Sequence, residues 1–169
     1  MKQQQSFDKH KRKEKHMIKF LLPIVQKFRR FYWRIVRPVT RGVRAIVVNQ
    51  NGEILLVAHT YQEGWFLPGG KVSRNEKDEN ALRRELSEEL GIQITATPRQ
   101  LGEYENTYEY KKDTIVVFVV DSFTQVSKRH FEVEKYNFFK PEMLPEKTSP
   151  GTRRRIEEWT GKRQTNNQW

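Results

Sequence analysis

The apolar residues of this chain change rhythm several times, and each change predicts an element. Val43–Val48 is β-rich, Asn49-Gln50-Asn51-Gly52 is polar and turn-forming, and Ile54–Ala58 is β-rich again. An Asn-Gly step between two apolar runs predicts a β-hairpin. Pro68-Gly69-Gly70 then breaks the chain. From Asp78 to Leu90 the period becomes helical: Leu82, Leu86 and Leu90 form one stripe, and Gly91 stands where a C-terminal cap belongs. Strands are predicted at about 98–106 and 113–121, the second holding the most apolar run, Thr114-Ile115-Val116-Val117-Phe118-Val119-Val120. A short strand around Tyr136–Phe139 precedes Pro141, and Thr152–Trp159 predicts a final helix after Pro150-Gly151. There is no internal repeat. Strand and helix patterns alternate irregularly, which predicts a mixed α/β class rather than a regular parallel array.

The first 37 residues do not share this texture. Residues 1–16 contain one aromatic and no aliphatic beyond Met1, and read as a disordered basic tail. Residues 17–37 interleave apolar and cationic side chains. Ile24, Phe28, Phe31 and Ile35 recur at helical spacing with Lys27, Arg30 and Arg34 between them. Two readings stand: a helix laying its aromatic stripe on the domain, or an interfacial helix in peripheral contact with an anionic membrane. Met17 is also an alternative start. No run reaches the ~18–20 uncharged apolar residues of a membrane span, and the run Phe20–Val25 is too short and poorly flanked for a signal peptide.

Charge sharpens that division. Residues 1–44 hold 14 Lys and Arg against Asp8 and Glu14, a net of +12, whereas residues 45–169 hold 18 against 19 acidic residues. The overall +11 therefore belongs to a basic arm, not to a basic surface on the domain. Cysteine is absent, which excludes disulfides, thiolate metal sites and cysteine nucleophiles, and accords with an expected cytoplasmic location.

Candidate chemistry concentrates between Gly70 and Ile92. Glu85, Glu88 and Glu89 stand at i, i+3 and i+4 of the predicted helix and share an arc of about 100° beside the leucine stripe. Three like charges packed against the core edge, with only Arg84 intervening, are costly unless something cationic gathers there. Hard oxygen donors without Cys or His suit Mg²⁺, or Mn²⁺. An ordinary acidic helix face is the plainer meaning of such a run taken alone.

The longer pattern decides between these. Gly70, five residues, Glu76, seven residues, then Arg84-Glu85-Leu86-Ser87-Glu88-Glu89-Leu90-Gly91-Ile92 resembles the Nudix box with every fixed position filled. At average residue frequencies such a match arises by chance roughly once in 10⁹ windows. The approach Trp65-Phe66-Leu67-Pro68-Gly69-Gly70 also resembles the family. The resemblance is specific over 65–92 and covers about 40–160 in element order.

The resemblance implies a Nudix-type α/β/α sandwich with a mixed β-sheet. It implies a hydrolase of phosphorus-containing anhydrides that cleaves a diphosphate linkage in a nucleotide-like substrate by Mg²⁺-assisted water attack. Glu85, Glu88, Glu89 and the Gly69 carbonyl become the implied metal ligands. Arg84 would pair with a box carboxylate, and Glu76 would support from outside. The catalytic base stays open between Glu85 and an acidic residue of Phe131-Glu132-Val133-Glu134, with Glu132 the candidate there. Two positions depart from the family habit. Asn75 stands where Gly is common and tolerates a left-handed backbone; Lys77 replaces a Ser or Thr and cannot cap the helix.

Substrate signals are fainter. Tyr61, Trp65, Phe66 and Tyr104 to Tyr110 supply aromatics able to stack on a base, with strand packing as the competing use. Arg44 on the first strand reaches toward a phosphate or toward solvent, and His59 is isolated. Two other functions compete: a nucleotide-sensing module without turnover, and an RNA 5′-end pyrophosphohydrolase whose basic arm tracks nucleic acid. The expected organisation is a tail at 1–16, a basic helix at 17–37, the hydrolase domain at 38–163 and a C-terminal tail at 164–169.

Overall fold

A computed structural model describes residues 39–60, 62–108, 111–126 and 133–169. Both expectations for the first 37 residues, the tail and the amphipathic helix, lie outside the described residues. Val39–Asn106 and Lys112–Trp169 form one compact unit. The order is β1 (Val39–Val47), β2 (Ile54–His59), α1 (Asp78–Leu90), β3 (Ile92–Ile94), β4 (Arg99–Tyr108), β5 (Lys111–Val120), β6 (Phe123–Gln125), β7 (Val133–Phe139) and α2 (Pro150–Trp159). Among the described residues no helix is long and apolar enough to cross a membrane.

Strands β1, β5 and β4 form one sheet in that order, β2 pairs with β7, and β3 pairs with β6. β1 and β5 run parallel, with Val43 opposite Val116, Ala45 opposite Phe118 and Val47 opposite Val120. These rungs, with the strand period of two, put one row of side chains under α1. There they join the fully buried Leu82, Leu86 and Leu90. Burying each leucine stabilises by ~1.5–3 kcal/mol, so the stripe alone fixes the helix on the sheet. The alternate rungs, Arg44 opposite Val117 and Ile46 opposite Val119, face the other way. Ile46, Val117 and Val119 pack there with Ile156 of α2 and with Tyr104. The sheet is mixed and lies between two helices, as expected of the sandwich.

The hairpin expectation needs a correction. The turn forms, with the Gly52 N–H donating to Asn49 O at 3.0 Å. Beyond a single bridge between Val48 and Ile54, however, the strands part: β1 joins β5 and β2 joins β7. Ile54–Val57 are buried throughout, so β2 takes partners that cover both its faces rather than staying on a two-stranded ribbon. Strands β3 and β6, of three residues each, were not anticipated; neither is long enough to show a period.

Helix ends follow the sequence closely. Gly91 adopts φ 64°, and its N–H closes the last turn of α1. Lys77 provides no side-chain cap at the other end. For α2, the Ser149 hydroxyl accepts from Thr152 N–H at 3.3 Å, and Pro150 opens the helix. Residues 167–169 dock against β4: Glu105 N–H donates to Asn167 O at 2.7 Å, and Trp169 N–H donates to Glu105 O at 3.0 Å. The Trp169 ring meets Tyr104 edge-on at 6.3 Å. Beneath it the fully buried Arg155 lies 3.8 Å from the Tyr104 ring, donates to Glu158 at 2.7 Å and to Gln168 O at 3.0 Å. Burial pulls the Arg155 guanidinium below its ordinary value, against the attraction of Glu158 and Tyr104.

Candidate active site

The segment after Pro68 is stitched to the free edge of β1. Ala45 N–H donates to Pro68 O, Val43 N–H to Gly70 O, and Val72 N–H to Arg41 O, each at 2.9 Å. Close contact forces the residue types. Gly69 has φ 131°, and a Cβ there would lie 2.3 Å from Val43 O and 3.0 Å from the Arg44 Cα. Only glycine adopts that backbone at that distance. At Gly70 a Cβ would stand 2.3–2.5 Å from the carboxyl atoms of Glu85. The missing side chain is the space this carboxylate fills.

The loop between Lys71 and the helix is short and held from several sides. Asn75 takes the left-handed conformation at φ 65°, as its side chain permits. Ser73 N–H donates to Glu76 at 2.9 Å. The Arg84 fork grips both Glu76 oxygens at 3.0 Å, donates to Glu85 at 2.7 Å and to Glu88 at 3.3 Å, and reaches back to Lys71 O at 3.0 Å. The fork, then the Ser73 amide, hold the Glu76 carboxyl at about 2, well under its ordinary 4.5. The same carboxylates, Glu76 before Glu85, raise the Arg84 guanidinium further above its ordinary range. A second fork pins the start of α1: Arg41 donates to Asp78 at 2.8 and 2.7 Å and to Glu103 of β4 at 3.0 Å twice.

These pieces border a cavity of about 480 Å³. Glu85, Glu89, Gly69 and Gly70 form one wall; Thr40, Gly42 and Arg44 of β1 with Asp113 and Ile115 of β5 form the floor. Gly69 N–H donates to Glu89 at 3.3 Å. Of the residues singled out in sequence, Glu85, Glu89, Gly69 and Arg84 thus come together. Glu88 stands outside the cavity wall, its side chain 62% exposed beside Arg84. Glu132 lies outside the described residues. Thr40 and Asp113 had no local signal: only the register that sets them opposite each other, with the threonine hydroxyl donating to that carboxylate, brings them to the floor.

The aromatic candidates go elsewhere. Trp65 packs edge-on against Phe139 at 4.9 Å, and Phe66 lies 5.8 Å from the His59 ring. Tyr104 is fully buried and donates to Glu158 at 3.0 Å. Tyr61 and Tyr110 lie outside the described residues. His59, at the end of β2, does border the cavity.

Among the described residues, no three His, Cys, Asp or Glu side chains already converge as a metal cluster. The donor set nevertheless fits a hard divalent cation. The box carboxylates Glu85 and Glu89 line one cavity with Asp113, no sulfur or imidazole competes within the box, and the absent Cβ of Gly70 cradles the Glu85 carboxylate.

The chain matches the model of the NUDIX domain over residues 38–160. A putative 8-oxo-dGTP diphosphatase of Bacillus subtilis (strain 168) is 29% identical over 120 residues, covering 71% of this chain and 79% of the relative. An RNA pyrophosphohydrolase of Hydrogenovibrio crunogenus is 36% identical over 76 residues, 44% of this chain and 46% of the relative, so the match spans under half of that protein. In structure, a MutT protein from Methanosarcina mazei Go1 superposes with a TM-score of 0.64 at 27% identity, covering 76% of this chain and 98% of the other. With the family model spanning most of its length and the box geometry in place, the chain belongs to the NUDIX family.

Proposed function

We propose that this protein hydrolyses a diphosphate linkage in a nucleoside 5′-polyphosphate, with Mg²⁺ held by the Glu85 and Glu89 carboxylates and the Gly69 carbonyl. The observation that carries the reading is the convergence of Glu85, Glu89 and the two glycines on one wall of a nucleotide-sized cavity. The relatives support the bond type, since their names describe diphosphatases and pyrophosphohydrolases of nucleotides or RNA. Bound Mg²⁺ supplies charge neutralisation of the diphosphate and a more acidic water.

The chain's own residues supply position. Arg84 locks Glu85 against Gly70 by a 2.7 Å bond, so the carboxylate need not reorganise when substrate enters. Water oxygen forms its bond to phosphorus as the bridging P–O bond breaks, and the proton lost by water passes to a carboxylate. Glu85 is the base candidate in the cavity wall; Glu132 is the other. Glu88, outside the cavity lining, is a further candidate ligand of the ion and adds a hold on Arg84.

The test is a screen of nucleoside triphosphates, diphosphate sugars, dinucleoside polyphosphates and triphosphorylated RNA with Mg²⁺, reading phosphate or nucleotide release. Release from at least one nucleotide, abolished by EDTA and lowered ~10²-fold or more by Glu89→Gln with the fold intact, is the expected result. Full turnover in excess EDTA would remove the metal from the reading. Release confined to compounds without a nucleoside would remove the nucleotide.

A further inference from the structure

We infer that the Thr40–Asp113 rung, at the end of the cavity floor, reads the base of the substrate and selects the donor edge of guanine. This rests on the nucleotide-diphosphate reading above and adds to it the base that carries the linkage.

The floor is graded along its strands. On the face that borders the cavity, β1 presents Thr40, Gly42 and Arg44, and β5 sets Asp113 and Ile115 opposite the first two. The box joins this row near one end, where Gly70 O accepts from Val43 N–H and holds Glu85 alongside. Arg44 and Lys71 belong to the same end: Arg44 donates to Val43 O at 2.9 Å, and Lys71 bridges to Gly42. The other end is the polar rung of Thr40 and Asp113. From Val43 to Thr40 the strand runs about 10 Å, at ~3.3 Å per residue. That matches the reach from the α-phosphate of a nucleotide to the far edge of its base, and the sugar stops short of it. Between the ends lies the rung of Gly42 and Ile115. One strand has no side chain there and the other a partly buried aliphatic, which together make an apolar bed for a flat ring.

The hydrogen-bonding character of the end rung then names the base. Thr40 has one hydroxyl proton, and it is donated to Asp113. The rung therefore shows the cavity acceptors only, the threonine lone pairs and the carboxylate oxygens. Asp113 engages more than Thr40. An ionised carboxylate has about four acceptor positions and no donor, however, so further donors from the protein leave that character unchanged. An acceptor-only rung takes an edge made of donors. Guanine offers N1–H beside its N2 amine, whereas adenine, cytosine and uracil each set an acceptor next to their donor.

Charge gives the same direction. Asp113 repels a phosphate, and Arg41, beside Thr40 in the chain, directs its fork into Asp78 and Glu103. The phosphates are drawn instead to the end where Glu85 and Glu89 hold the ion and where Arg44 and Lys71 stand. The base is left to point at the rung.

Calorimetry on the full chain with Mg²⁺ tests this, using α,β-methylene analogues of nucleoside 5′-diphosphates, which resist cleavage. The guanosine analogue should bind ~10- to 10²-fold more tightly than the adenosine one, as one or two hydrogen bonds to a charged group predict. The inosine analogue keeps N1–H but lacks the amine and should fall between them; the 2′-deoxyguanosine analogue should match guanosine. Asp113→Asn keeps an acceptor for Thr40 and should erase the preference, weakening guanosine ~10-fold or more. Its melting temperature, its Mn²⁺ affinity and its affinity for base-free methylenediphosphonate should equal those of wild type. A wild type that binds every base alike overturns the inference, and so does a guanosine preference that survives Asp113→Asn. Sensitivity to the 2′-hydroxyl in place of the base overturns it too, by giving the rung to the ribose. A loss in Asp113→Asn that extends to methylenediphosphonate or Mn²⁺ assigns Asp113 to the ion and refutes it equally. A guanosine preference that depends on Asp113, in a protein that turns over no compound in the screen, upholds this inference and refutes the hydrolase reading alone.

Discussion

Gly69 and Gly70 are neighbours, yet an added methyl should harm the protein in different ways at the two positions. At Gly70 the Cβ would meet only the end of the Glu85 side chain, 2.3 Å from its carboxyl carbon. Ordinary contact begins near 3.5 Å, so the carboxylate must retreat by roughly 1 Å, which a flexible glutamate does at little cost in stability. Misplacement on that scale costs ~10²-fold in rate when the group acts by position. At Gly69 the obstacle is backbone: Val43 O at 2.3 Å, with φ at 131° besides. Strained φ alone costs ~1–3 kcal/mol, and a collision with the β1 carbonyl adds to it. At ~2–4 °C per kcal/mol for a chain of this size, Gly69→Ala should melt ~6 °C or more below wild type. Thermal melts and steady-state kinetics on the substrate found in the screen decide the matter. The expected pattern is near-native melting with kcat down ~10²-fold for Gly70→Ala, and a clear loss of stability for Gly69→Ala. A Gly70→Ala enzyme with wild-type kcat would refute the claim that Glu85 works from the space at Gly70.

Two further outcomes follow from the charge network and from the docked C-terminal residues. Glu76 is held at about 2 against an ordinary 4.5, so its ionised form stabilises the fold above about 4.5 and that contribution is lost as pH falls toward 2. Glu76→Gln should melt below wild type at pH 7, with the gap closing on acidification through that window; a gap that persists at pH 2–3 would assign the effect to packing. Trp169→Ala removes the ring that meets Tyr104 and lies over Arg155, and for a partly covered tryptophan a loss of ~2 kcal/mol predicts a melting point ~4–8 °C lower. An unchanged melting curve would mean that residues 167–169 rest on β4 without holding it.

What could be read from the sequence was whatever repeats within one element. The helix from Asp78 to Leu90 was legible to the residue because its leucine stripe, its Gly91 cap and its carboxylates are all local. The left-handed Asn75 and the uncapped Lys77 were legible for the same reason. Pairing was not. An Asn-Gly turn signals that the chain reverses, and it does, but nothing near Val48 says that β1 prefers β5. The cavity floor suffers equally: Asp113 and Thr40 are 73 residues apart and meet only through that parallel register. Aromatic residues carried two readings because tyrosine and tryptophan suit both stacking on a base and filling a core. Tyr104 fills the core, with Arg155 stacked on it and Glu158 at its hydroxyl.

The spacing of the box has a mechanical meaning in this fold. α1 must bury Leu82, Leu86 and Leu90 on one face of the sheet while Glu85 and Glu89 reach the cavity floored by the other face. Both demands are met only at the edge of β1, where Gly69 and Gly70 leave no side chains in the way. The distance from Gly70 to the helix is then fixed at both ends, by Val72 N–H on Arg41 O and by the Arg41 fork on Asp78. Adding one residue between those anchors would turn the helix by ~100°, swinging leucines toward the cavity and carboxylates toward the core. Removing one would turn it equally far the other way. The interval of residues between glycine and glutamate is therefore a rotational setting as much as a length, which is why so short a pattern identifies the site without any knowledge of the sheet.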